Sequence, residues 1–167
     1  MAVGGDGKLY AIAGQESIVR LTPDGKVDLS IPDTFAKVAG DMDIDTHVAA
    51  DGLGNMYIVG AFHYLVLKYS PQGDYLDQFG GEAKAGASNE PGKFTSPSAI
   101  AVDGYGRVYV SDFWGIQVFD ADGTYLNLIP MDQGVAFGMT FDDQNNLYLV
   151  TNQNHVMKFA VQPPANK

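Results

Sequence analysis

Repetition of one phrase limits what this chain can fold into. VAADGLGNMYIVG starts at Val48, IAVDGYGRVYVSD at Ile100 and MTFDDQNNLYLVT at Met139, and a shorter copy, GDGKLYAIAG, starts at Gly5. Tyr10, Tyr57, Tyr109 and Tyr148 mark the four copies, at spacings of 47, 52 and 39 residues. A period of this size belongs to a supersecondary unit that cannot bury its apolar face alone and must stack on its neighbours.

Each unit then continues in the same way. A second apolar run follows the first: SIVRLT, YLVLKYS, GIQVFD and HVMKFAV. In three units a turn comes next, PDG at Pro23, PQG at Pro71 and DADG at Asp120, and then a third run, KVDLSIP, DYLDQF or TYLNLIP. Gly after Pro or Asp signals a tight turn, because it accepts positive φ without a Cβ clash. Asp51, Asp103 and Asp142 open a second set of turns ahead of the tyrosines. Their recurrence points to a structural task, accepting hydrogen bonds from amides two residues on. The runs are rich in Val, Ile, Tyr, Phe and Leu and show no 3.6-residue period, so helix should be minor. RVYVS and YLVLKY are apolar on both faces, as expected of strands covered on both sides. Sheets stacked around an axis supply that cover. The expected fold is all-β: a β-propeller segment of about four blades, each of three or four antiparallel strands, in an incomplete ring.

The chain reads as one domain over residues 1–167, with blade units at roughly 1–32, 45–79, 97–130 and 135–162. The strand count is three, four, four and three, with no inner strand before Leu9 and no fourth strand after Val161. The segment GGEAKAGASNEPGKFTSP, from Gly80, reads as a surface loop between blades. Open blade edges expose unpaired backbone groups. They imply further blades of a longer propeller, or a protein partner or oligomer that completes the ring.

Composition narrows the function classes. Hydrophobic residues make up 46% and charged residues 18%, which argues against disorder. A formal net charge of −10 repels phosphate backbones and anionic membranes, so no nucleic-acid partner is expected. The absence of cysteine excludes disulfides and thiolate chemistry. No apolar run approaches a membrane span, and MAVGGDGKLY has neither the basic nor the apolar region of a signal peptide.

The segment from Phe79 to Leu126 resembles an NHL repeat. That family's pattern has an FG-rich loop, a phrase like GxFxxPxxIAVD, a GxVYVxD strand and an xIQVFDxDG strand. Phe79, Gly80, Pro97, Ile100, Ala101, Val102, Asp103, Gly106, Tyr109, Val110, Asp112, Gln117, Phe119 and Gly123 fall on it. DFWGIQ and GAFHYLV lack the Asn and Arg usual between the second and third strands. GIQVFDADGTYLNLIP followed by AFGMTFDDQNNLYLVT also resembles the gluconolactonase-like calcium-dependent propellers. At that family's metal-ligand places this chain has GVA before Phe137 and SPSA before Ile100, so the resemblance implies the fold without the metal site. Both families usually have six blades. Analogy with exported bacterial propellers implies an extracytoplasmic setting.

Two groups of residues are candidate sites. In GDMDIDTH, an extended chain would put Asp41, Asp43, Asp45 and His47 on one face, where three carboxylates and an imidazole suit a hard cation, Ca²⁺ above others. This is no EF-hand loop, since Thr46 stands where Gly is required and Gly52 where Glu is required. The second group lies between the second and third strands: His63 and Tyr64, Phe113 and Trp114, then Asn154 and His155. Clustered on one rim, these aromatics would form a ledge for protein or sugar. No GxSxG, P-loop or dinucleotide signature is present. The reading is a non-catalytic binding or scaffold module without an obligatory cofactor. Its alternatives are a calcium-dependent lactonase or esterase using Asp41, Asp43, Asp45 and His47, and a glycan-binding module on the ledge.

Overall fold

The computed structural model describes residues 1–84 and 90–164; residues 85–89 of the expected inter-blade loop lie outside the described residues. Four small antiparallel sheets follow one another along the chain. The first blade holds β1 (Ala2–Val3), β2 (Leu9–Ala13), β3 (Ser17–Leu21) and β4 (Val27–Ile31). A short helix, α1 (Thr34–Ala39), leads to the second blade: β5 (His47–Ala50), β6 (Met56–Gly60), β7 (Leu65–Tyr69) and β8 (Tyr75–Gly80). The third comprises β9 (Ala99–Val102), β10 (Val108–Asp112), β11 (Gly115–Phe119) and β12 (Tyr125–Pro130). The fourth has three strands: β13 (Ala136–Phe141), β14 (Asn146–Thr151) and β15 (Val156–Ala160). The result is a four-blade β-propeller whose ring does not close. One strand was missed from sequence: Ala2–Val3 pairs with Leu9 and Tyr10, so the first blade has four strands instead of three. Two residues are too few to show an alternation.

The inner hairpins explain the repeated phrase. The Oδ1 of Asp51 accepts the amides of Leu53 and Asn55 at 2.9 Å each, and the Oδ1 of Asp103 does the same for Tyr105 and Arg107. Asp142 receives Gln144 at 3.1 Å and Asn146 at 2.7 Å. Three residues after each Asp the chain takes positive φ, at Gly54, Gly106 and Asn145. The first blade departs from this scheme. Gly4 holds the Asp position, and a Cβ there would meet Asp6 Oδ1 and Tyr10 Cε2 at 2.7 Å. The carboxylate moves to Asp6, which accepts Lys8 N–H at 3.1 Å and Tyr10 O–H at 3.0 Å.

Six residues beyond that turn position stands the marker tyrosine. Tyr10 lies in the core between the first and second blades, Tyr57 between the second and third, and Tyr109 between the third and fourth. All three are at most 1% exposed. The residues on either side of Tyr57, Tyr109 and Tyr148 point the other way, into the preceding interface: Met56 and Ile58 face the first blade, Val108 and Val110 the second, Leu147 and Leu149 the third. Strands that are apolar on both faces are thus accounted for. Three interblade cores join four blades. Outer strands carry the exposed surface, and each is offset by a bulge at the same point, after Arg20, Lys68 and Val118.

Burial fixes the ionisation of these phenols. Desolvation, with Asp6 adding to it, pushes the Tyr10 hydroxyl up to about 12, and desolvation takes Tyr69 to about 12 as well. Tyr57 and Tyr109 are raised for the same first reason, with Asp51 and Asp103 adding to it. Their ordinary value is 10.0, so on unfolding the phenols give up protons more readily than in the fold. The stability they contribute is complete below about pH 10 and is lost as pH rises towards 12. A pH titration followed by both phenolate absorbance and circular dichroism should therefore show the phenolate of these four, among the nine tyrosines, appearing together with loss of strand signal rather than ahead of it.

Candidate functional site

The inner strands line a narrow channel of about 120 Å³, bounded by Val48–Ala50, Ile100–Val102 and Met139–Phe141 with Met1–Val3. Among the described residues no titratable side chain lines it. At one mouth lies a larger cavity, about 350 Å³, bordered by Asp45, His47, Ala61, Ser96, Ser98 and Phe137 among others. Burial holds the His47 imidazole below its usual value, helped by the charged N-terminus and opposed by Asp45. Ser98 Oγ donates to the Ala136 carbonyl at 3.1 Å.

The acidic stretch before β5 is not extended. It bends, and Asp45 takes φ 54°, so the alternation expected from sequence does not place Asp41, Asp43, Asp45 and His47 on one face. Asp41 is exposed and accepts the amide of Met42. Asp43 is fully buried, and its carboxylate accepts Phe62 N–H at 3.1 Å, His63 N–H at 2.9 Å and a contact with His63 Nδ1 at 2.9 Å. Its own amide donates to Glu16 Oε2 at 3.0 Å, while Glu16 Oε1 accepts Ala36 N–H at 3.2 Å. Among the described residues no three His, Asp or Glu side chains form a group that could hold a metal ion.

The rim aromatics divide into two kinds. His63 stacks on Phe35 at 5.6 Å between ring centres, and Tyr64, at φ 56°, packs against the core between the second and third blades. Phe113 and Trp114 are 57% and 42% exposed and meet edge to face at 5.0 Å. Among the described residues no ring contact joins the two tips, so they do not form one ledge. Asn154, at φ 63°, and His155 occupy the exposed tip of the fourth blade, as a hairpin turn closed by Asn154 N–H on Thr151 O at 3.1 Å.

Sequence reading overlooked a recurring clasp at this rim. In each later blade, a polar side chain ties the tip between second and third strands to the segment entering the inner strand. Asp43 does this for Phe62 and His63. Asp112, 3% exposed, accepts Thr95 N–H at 3.0 Å and Ser96 N–H at 2.6 Å. Asn152 Oδ1 accepts Val135 N–H at 3.1 Å. The acid sits on the incoming segment in one blade and on the tip in another, so no fixed motif reveals it. A Cβ at Gly60 would press on Asp43 and on Phe35 Cζ, so the glycine in MYIVG was the one available signal.

No family model and no curated protein sequence matches the chain. Solved structures similar to it are β-propellers. A gluconolactonase from Xanthomonas campestris aligns at TM-score 0.57 and 22% identity over 87% of this chain and 45% of its own. A streptogramin B lyase aligns at 0.57 and 18%, over 99% and 54%. The WD40 β-propeller domain of Doa1 aligns at 0.60 and 13%, over 93% and 47%. The chain thus spans about half the length of these propellers, and the likeness carries the fold alone. No helix among the described residues is long and apolar enough to cross a membrane.

The clasp makes Asp43 a structural residue with a measurable cost. Asp43→Ala leaves two part-buried amides and an imidazole without their carboxylate and should lower unfolding free energy by roughly 2–4 kcal/mol. Denaturant melts of the variant and parent should show the same difference in calcium as in chelator.

Proposed function

We propose that this chain is a non-catalytic propeller module that binds protein, with the faces of its end blades as the binding surfaces. One observation carries the reading: the outward face of the fourth blade has the composition of a buried face, yet Val150 and Val156 are 48% and 76% exposed. They border a shallow groove with Tyr148 and Met139 whose surface is almost wholly apolar. A patch of this kind is the ordinary mark of a docking surface. Its fit is to another propeller blade, because every interior interface of the chain is blade on blade. The rim supports the same reading, since Asp43, Asp112 and Asn152 are committed to closing hairpins rather than facing the channel. The phrase around Ile100 supports grouping the third blade with the NHL type.

A second reading rests on the cavity at the channel mouth. There a His47 held towards its neutral form stands with Asp45, Ser96 and Ser98, a set that could accept a proton from a small substrate. The two are separated by assaying hydrolysis of simple lactones and esters, with Ca²⁺ or Mg²⁺ and without either. The binding reading expects no turnover above buffer. Turnover that disappears in His47→Ala would overturn it.

A further inference from the structure

We propose that the partner of the fourth blade is a second copy of this chain, docked head to tail on its first blade, two such junctions closing a ring of eight blades. This rests on the binding reading above and names its occupant.

The argument starts from a contact that recurs inside the chain. Strand register places a cation opposite the marker tyrosine in three blades: Arg20 opposite Tyr10, Lys68 opposite Tyr57 and Lys158 opposite Tyr148. In the first two, the cation crosses to the next blade and donates to the carbonyl of the second residue of its outer turn. Arg20 Nη1 reaches Pro71 O at 2.6 Å, and Lys68 Nζ reaches Ala121 O at 2.6 Å. Tyr57 O–H converges on the same carbonyl at 3.4 Å, and Lys68 lies 5.7 Å from the Tyr57 ring centre. Lys158 lies 5.0 Å from the Tyr148 ring centre, the same arrangement, and reaches no carbonyl among the described residues. The third blade has Val118 at this place and is joined differently, by Arg107 Nη2 on Gln162 O at 2.9 Å.

The apolar pair beside the cation repeats too. Val59 faces Val66 in the second blade, both 0% exposed beneath the third blade. Val150 faces Val156 in the fourth. The fourth blade therefore presents the second blade's face, Tyr with Lys and Val with Val, with nothing on it.

The matching acceptor is in the first blade. Its outer turn, Thr22 to Gly25, closes with Gly25 N–H on Thr22 O at 2.8 Å, like Gly73 on Ser70 at 3.0 Å and Gly123 on Asp120 at 3.1 Å. The second residues of these turns are Pro23, Pro71 and Ala121. Pro71 and Ala121 have their carbonyls taken by a cation of the preceding blade; the exposed Pro23 has no donor among the described residues. The rear face above that turn carries Leu9, Ala11, Val19 and Leu21, paired as Leu9–Leu21 and Ala11–Val19. These occupy the places of Met56, Tyr69, Ile58 and Leu67, which form the second blade's buried rear face. The ring of one chain does not close, so its own first blade does not cover its fourth. Two chains meet the need, because each spans about half of a solved propeller and rings of up to about eight blades are stable. A heterologous contact of this kind closes when its rotation matches the ring.

The test is the mass of the 167-residue chain in solution at micromolar concentration, by sedimentation and native mass spectrometry. The expected species has twice the 17.9 kDa of one chain. Val156→Asp, at an exposed site of the single chain, should keep the circular dichroism spectrum and weaken dimerisation at least ~10-fold by burying an unpaired charge. Because the chain has no cysteine, Pro23→Cys and Lys158→Cys chains can be mixed with a short bis-maleimide. Cross-links should join Cys at 23 to Cys at 158. A monomer at all accessible concentrations, a dimer indifferent to Val156→Asp, or cross-links solely between two 158 positions would each overturn the proposal. None of these produces turnover, so failure here is distinct from failure of the binding reading.

Discussion

The fold depends on burial that no sheet achieves alone. Each of the first three blades sets a tyrosine against the next, and each of the last three sets two apolar residues against the one before, so the second strand of each middle blade is apolar on both sides. The tyrosine hydroxyl is the awkward part, because burying it without a partner costs free energy. Tyr10 and Tyr109 place it on a carboxylate from the turn of their own blade, and Tyr57 on the carbonyl of the next. Ring and turn are therefore one device. The first blade shows what matters in it: the carboxylate shifts from the opening residue of the turn to Asp6, and the hydroxyl still finds it.

Much of this was legible because the device repeats. The four tyrosines, the Asp or Gly at the turns and the doubled apolar runs give the blade count and the open ring. The two-residue strand Ala2–Val3 was not legible, because its identity comes from hydrogen bonds to Leu9 and Tyr10 rather than from a pattern of its own. The rim was harder for a related reason. Asp43 and Asp112 do the same job from opposite partners in the clasp, so alignment of the repeats places them at unrelated positions. A run of alternating acids suggests a ligand set only if the chain is extended, and the left-handed turn at Asp45 removes that condition.

The buried acids Asp43 and Asp112 are spent on holding loops in place, and among the described residues no titratable side chain lines the channel. What is unspent lies at the ends of the arc, in the bare valines of β14 and β15 and in the small apolar residues of β2 and β3. His47 and the serines beside it are the exception, gathered with Asp45 in one cavity at the channel mouth.

Three interfaces for four blades also set how the molecule comes apart. The second and third sheets are gripped from both sides, the outermost ones from a single side, and the fourth has just three strands. In such a linear array local opening free energy is lowest at the ends and highest in the middle. In a single chain, backbone amides of β14 and β15 should thus exchange with solvent ahead of those in β6 and β10, the arc fraying inward like a stack of plates losing its last member first.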